Sequence, residues 1–215
     1  MSSLYHKIET LFEFDKETKR FNTGKFYNKS VELLKENNWL FTEKIDGTNF
    51  RIIWDGHKLT YGGRTDNSTF SKEQIEYIEK ELVNEIKETM IESMFMEKQI
   101  IIYGELHGNK IQNGELYTNG SGIHFKVFDI KVNDVFLTYD DMKELANKLE
   151  YDFVPLVLVG TINDGIEFVK KTELSTFSMA KLEGLVGKPV GDFRDKNGKR
   201  IVIKIKKRDI EKEKE

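Results

Sequence analysis

Eight short runs rich in β-branched and aromatic residues, each bounded by Gly, Asn or Asp, constrain this chain more than any other feature. They cover residues 39–44, 49–54, 58–61, 99–105, 124–130, 153–159, 184–186 and 200–206 and read as strands. Asp55-Gly56 reads as a tight turn joining two of them into a hairpin. Helical signals are few. Ser71 and Gln74 form a capping box that opens a helix running to Met94, with Ile75, Ile78, Leu82, Ile86 and Met90 as its apolar stripe. A second helix starts at Thr138, with Asp141 in the box position, and buries Met142, Leu145, Ala146 and Leu149. A third, shorter one covers residues 28–36. Strands and helices do not alternate regularly, so the expected fold class is α+β, with mainly antiparallel sheets and flanking helices.

The chain has 215 residues, of which 33% are charged, but its 15 Phe, 8 Tyr and 2 Trp exclude a disordered chain. A protein of this length needs no disulfide or structural metal to stay folded. With no cysteine, thiolate zinc sites, iron–sulfur clusters and cysteine nucleophiles are excluded, and a reducing compartment fits. Lys7 and Glu9 interrupt the first apolar run, so we expect no signal peptide, no membrane partner and a cytoplasmic location. The formal net charge of −3 supplies no global field for nucleic acid, so phosphate contacts must come from local basic patches. His6, His57, His107 and His124 lack zinc-ligand spacing, and neither a P-loop nor a G-x-S-x-G elbow occurs. Without repeats or a linker, residues 1–207 are expected to form a single domain and 208–215 an unstructured charged tail.

The chemistry centres on Lys44-Ile45-Asp46-Gly47, followed by Thr48 and Asn49. A strand ending in an Asp-Gly turn is the bland account. The sharper one is a nucleophilic lysine whose amine loses its proton through desolvation and nearby cations, with glycine admitting close backbone approach. In the last strand, alternation places Ile201, Ile203 and Ile205 on one face and Val202, Lys204 and Lys206 on the other. These lysines either protect a strand edge or clamp an anion. Glu105 and Glu183 stand at strand ends, where they are solvated or serve as Mg²⁺ ligands or ribose acceptors. Phe125 is by default core. Arg64, beside Gly62-Gly63, is a surface residue or a phosphate and ribose contact.

Taken in order, Lys44-x-Asp-Gly, Arg64 twenty residues on, Glu105, Phe125 through Ile130, Glu183 and the Lys204/Lys206 pair resemble the motif set of covalent nucleotidyltransferases. These are the ATP-dependent DNA and RNA ligases and the mRNA capping enzymes. The resemblance covers residues 42–206, and Thr48-Asn49 is most similar to the nick-sealing phage RNA ligases. It implies their adenylation-domain fold, ATP with Mg²⁺ or alternatively Mn²⁺, a lysyl-AMP on Lys44, and transfer of AMP to the 5′-phosphate of RNA or nicked RNA/DNA. It further implies phosphate clamping by Lys204 and Lys206, a ribose contact by Glu105, a metal near Glu183 with Glu105 also in reach, and adenine stacking on Phe125. Arg64 and Asn49 would act at phosphate and sugar, and Glu43 at the adenine edge. The family's further domain is not evident after Lys206. Sealing is therefore expected to be weak without a partner protein, or to use the basic Lys196, Lys199, Arg200, Lys207 and Arg208. The rival readings are a DNA ligase or capping guanylyltransferase core, and a non-catalytic nucleic-acid-binding relic.

Overall fold

The structure is a computed structural model and describes residues 3–118 and 120–211. They fall into two compact units. The inserted unit takes residues 3–6 and 46–154, and the flanking unit takes 7–45 and 155–211.

The inserted unit is built on a sheet ordered Asp152–Phe153, Ile123–Val132, Ile100–Gly108, Thr48–Trp54, Leu59–Gly63, with Val135–Phe136 also paired to Ile123–Val132. Its pairs are antiparallel except the short outer strand Asp152–Phe153, so the α+β expectation holds. Side-chain alternation sends Phe50, Ile52, Trp54, Ile100, Ile102, Leu106, Phe125 and Val127 into one core with Ile78, Leu82, Ile91 and Met142 from the helices. The helix Tyr139–Lys148 starts where expected, with Thr138 accepting from the Asp141 N–H and Met142, Leu145 and Ala146 buried.

The single helix expected from 71 to 94 is instead broken. Lys72–Tyr77 carries the Ser71/Gln74 capping box, Ile78–Leu82 forms a π-helical turn, and a new helix runs over Glu85–Phe95. Val83 leaves helical backbone and Asn84 caps the restart by accepting from the Lys87 N–H at 2.9 Å. The wider turn slips the apolar phase. Ile78 and Leu82 stay buried, but beyond the break Lys87 and Ile91 face inward while Ile86 is 69% exposed.

The flanking unit holds a five-stranded sheet ordered Glu9–Thr10, Ile203–Lys206, Gly184–Pro189, Trp39–Glu43, Leu156–Gly160. One face buries Trp39, Phe41, Leu185, Ile203 and Ile205 against Ile162 and Val169 of the helix Ile162–Lys171. That helix, opened by a Thr161/Asp164 capping box, was absent from the sequence expectations, as was the hairpin Phe12–Asp15 with Arg20–Phe26. The expected strand 153–159 is two strands, Asp152–Phe153 in the inserted unit and Leu156–Gly160 in the flanking one. Pro155, which has no N–H to donate, lies between them. The expected helix over 28–36 shortens to Lys29–Leu33, capped by Asn28, and the strand over 200–206 to Ile203–Lys206. The tail beginning at 208 is helical where described, in Lys207–Glu211, because Ile210 is buried in the core; residues 212–215 lie outside the described residues.

Gly104 shows how tightly the inserted sheet is packed, since a Cβ built there would lie 2.1 Å from Phe125 Cε2 and 2.6 Å from the Lys126 carbonyl oxygen. We predict that Gly104→Ala lowers unfolding stability by about 1–3 kcal/mol in urea titrations. Gly104→Ala with Phe125→Leu should be less destabilised than the sum of the two single variants, because they share one contact.

Candidate active site

In the flanking unit three adjacent strands place the chemistry-bearing side chains. Glu43 faces Leu185 in register, Val186 lies between Thr42 and Lys204, and Gly184 faces Lys206. Just past its strand, Lys44 still donates its N–H to the Gly184 carbonyl at 2.9 Å. With Ile203 and Ile205 committed to the core, alternation turns Lys204 and Lys206 to the opposite face.

Glu183 ties this face together. Its Oε2 accepts from Lys44 Nζ and its Oε1 from Lys206 Nζ, each at 2.7 Å. The three side chains are only 22% (Lys44), 17% (Glu183) and 15% (Lys206) exposed, so these pairs are less screened than ordinary surface pairs. Burial, followed by the charges of Lys206 and Lys44, holds the Lys204 ammonium below its usual pKa of 10.5. Two ammonium groups share the Glu183 carboxylate and a third, Lys204, stands close enough to feel both of their charges, so the excess positive charge suits a phosphate. The structure thus brings together Lys44, Glu183, Lys204 and Lys206, residues 162 positions apart at the extremes.

Glu43 lies apart from them, in register with the core residue Leu185 and 1% exposed. Its Oε2 accepts from both the N–H and the hydroxyl of Thr176, at 2.8 and 2.6 Å, while its Oε1 is buried without a partner. Thr176 was missed in the sequence because a threonine in a Ser/Thr-rich loop carries no signal of its own. The basic cluster divides: Lys207 is 8% exposed and donates to the Thr172 carbonyl at 2.7 Å, Arg208 is exposed on the last helix, and Lys196, Lys199 and Arg200 lie on one hairpin.

In the inserted unit, Asn49 faces Glu105 in register and Glu105 faces Lys126, so three polar side chains stand side by side on one sheet face. Gly47 permits the entry to that strand, because a Cβ there would lie 2.3 Å from the Leu106 carbonyl oxygen. Phe125, in register with Leu106, points to the other face. It is 3% exposed and packed edge-on against Phe50 and Tyr151, so this ring holds the core together instead of presenting a face for adenine. Arg64 is exposed just beyond the strand Leu59–Gly63. The buried arginine is Arg51, which donates to the Gly63 carbonyl and to Asp66 and so supports the turn on which Arg64 stands. Its signal was an arginine at an alternate position of a strand whose other face is Phe50, Ile52 and Trp54.

Among the described residues no three His, Asp or Glu side chains form a metal-binding group.

The fold and this lysine-rich face define a nucleotidyltransferase-type architecture. The RNA ligase family model matches residues 37–206, and the chain belongs to that family. Its fold matches that of Naegleria gruberi RNA ligase in several forms. A lysine-to-alanine variant with ATP and Mn aligns with a TM-score of 0.63 and 20% identity, over 98% of this chain and 62% of that one. The enzyme with PPi gives 0.62 and 21%, over 97% and 61%. A lysine-to-methionine variant with AMP and Mn gives 0.61 and 20%, over 93% and 59%. The present chain therefore spans about three fifths of the length of those ligases. Among curated proteins none matches it.

The lowered Lys204 pKa makes this face costly to fold, and the sign is fixed by linkage. The penalty is full below the folded pKa and is relieved as pH rises towards 10.5, because the unfolded state then binds more protons than the folded one. We predict that Lys204→Met is at least as stable as the parent at pH 7 in urea titrations, and that its advantage shrinks by pH 9.5.

Proposed function

We propose that this chain is an ATP-dependent RNA ligase adenylyltransferase, in which residues 1–207 act as one catalytic domain. The observation that carries the reading is Glu183 bridging Lys44 and Lys206 beside Lys204. Lys44 Nζ attacks the α-phosphorus of ATP, the bond to the β-phosphate oxygen breaks, and pyrophosphate leaves with the electron pair. The amine must shed a proton, and Glu183 Oε2, 2.7 Å away, is placed to accept it. Lys204 and Lys206 then face the negative charge that develops on the α-phosphate. A divalent cation, when bound, would neutralise triphosphate charge; Glu183 in the flanking unit and, separately, Glu105 in the inserted unit are the candidate carboxylates for holding it. Lysyl-AMP formation is followed by transfer of AMP to an RNA 5′-phosphate and displacement by a 3′-hydroxyl.

For the nucleoside we assign Asn49 and Glu105, which share a sheet face, to the ribose, and Arg64 to phosphate or ribose. The unpartnered Glu43 Oε1 is an acceptor suited to an exocyclic amine, which adenine has at the position where guanine carries an oxygen. A DNA ligase or guanylyltransferase core remains the alternative activity of the same face.

Incubation with α-labelled ATP and Mg²⁺ should leave label on the denatured protein. We predict no label in Lys44→Ala and initial labelling slowed about 10²–10³-fold in Lys204→Met. Label surviving in Lys44→Ala would remove that lysine from the reaction. Preference for GTP over ATP would select the guanylyltransferase reading, and joining of all-DNA nicks alone the DNA ligase reading.

A further inference from the structure

The hairpin that leads into the Lys204/Lys206 strand contributes to neither the core nor the phosphate-facing group. Arg194 and Arg200 form an isolated antiparallel bridge across it, and the Ile201 N–H closes back on the Phe193 carbonyl at 3.0 Å. Its tip is fixed by Asp195, whose carboxylate accepts from the N–H groups of Asn197 and Lys199 at 2.9 and 3.0 Å, and by Gly198 at φ +76°. These bonds give the hairpin a defined turn.

Its surface has two chemical features. Phe193 is 39% exposed, and its ring lies against Gly191, where an added Cβ would be 3.1 Å from Cε2. The same hairpin carries Arg194, Lys196, Lys199, whose ammonium pairs with Glu9 at 3.6 Å, and Arg200, whose side chain is 13% exposed and lies 4.0 Å from Asp192. Asp192 orients the guanidinium of Arg194 at 2.9 Å, and Arg194 also donates to the Gly198 carbonyl at 3.3 Å. Lys196 has no ion pair among the described residues. Exposed pairs of this kind are weak, so a phosphate can take over the arginine without a large penalty. An exposed aromatic interleaved with cations on a preformed hairpin is the arrangement that holds a single strand, base on ring and phosphates on cations. An acidic protein partner would use the cations but has no need of the ring.

We propose that the hairpin formed by residues 190–200 is a docking surface for single-stranded RNA, with Phe193 stacking one base and Lys196 and Lys199 following the backbone. This rests on the RNA ligase reading above and adds where the polynucleotide is held.

The test is fluorescence anisotropy of the full chain with a labelled, 5′-phosphorylated single-stranded RNA of about 12 nucleotides, alongside the ATP-labelling assay. Phe193→Ala should weaken RNA binding about 5- to 100-fold, while Phe193→Tyr retains it. Lys196→Gln with Lys199→Gln should lower the slope of log affinity against log salt by about 1.4. Neither change should alter self-adenylylation, and thermal melts should match the parent. RNA affinity within twofold of the parent in Phe193→Ala, or an unchanged salt slope in the lysine variant, overturns the docking surface and points to a protein partner. A parent that binds RNA through this hairpin yet takes no label from ATP leaves the docking surface standing and overturns the ligase reading.

Discussion

The Glu183 carboxylate is the interaction on which the candidate site depends. Three ammonium groups on one sheet face repel each other, and strand register alone would leave that repulsion unanswered. Glu183 answers it from the first position before its strand, with one oxygen for each of two lysines, while its own backbone carbonyl accepts the Lys207 N–H at 3.0 Å. The two carboxylate oxygens go to Lys44 and Lys206, while burial, followed by the charges of those two lysines, holds the Lys204 ammonium below its usual pKa. On the reading proposed above, an anion arriving at this face would meet the positive charge that one carboxylate leaves unbalanced.

The same face shows how a β-sheet separates stability from chemistry. Ile203 and Ile205 are fully buried beside Leu185 and Trp39, and each such side chain contributes roughly 1.5–3 kcal/mol on leaving water. That apolar side holds Lys204 and Lys206 at fixed spacing on the other side, where burial and neighbouring charge disfavour the Lys204 ammonium. A four-residue strand thus carries an apolar face that stabilises the fold and a lysine face that does not, and alternation keeps the two apart.

Much of this was legible in the sequence, for reasons that differ by residue. The period-two pattern of 200–206 announced two projecting lysines because one face was uniformly isoleucine, and the Ser71/Gln74 box announced a helix start because capping is local chemistry. What local patterns could not show were events set by tertiary packing. Nothing in the 71–94 periodicity reveals a π-helical turn, so Ile86 was expected inside where Lys87 is found. Phe125 fits a stacking role by spacing from Glu105, yet register with Leu106 sends its ring into the core, and register between strands is a long-range property. The Thr161/Asp164 box has the same Thr-x-x-Asp spacing as Thr138/Asp141, but the helix it opens carries Gly165, which weakens the helical signal.

The chain's path accounts for the spacing of the motifs. It leaves the flanking unit after Ile45 and returns at Pro155, so Lys44 and Asn49, five residues apart, belong to different compact units. Lys44 gains its partners from Glu183 and Lys206, more than 130 residues later, whereas Asn49 gains Glu105 within its own sheet. The gap between Phe125 and Glu183 is therefore not filler. It contains the helix that completes the inserted core, the Pro155 crossing, and the helix Ile162–Lys171 that buries the apolar face behind the lysines. A motif order that looks arbitrary along the sequence follows from one sheet being interrupted by another and then resumed.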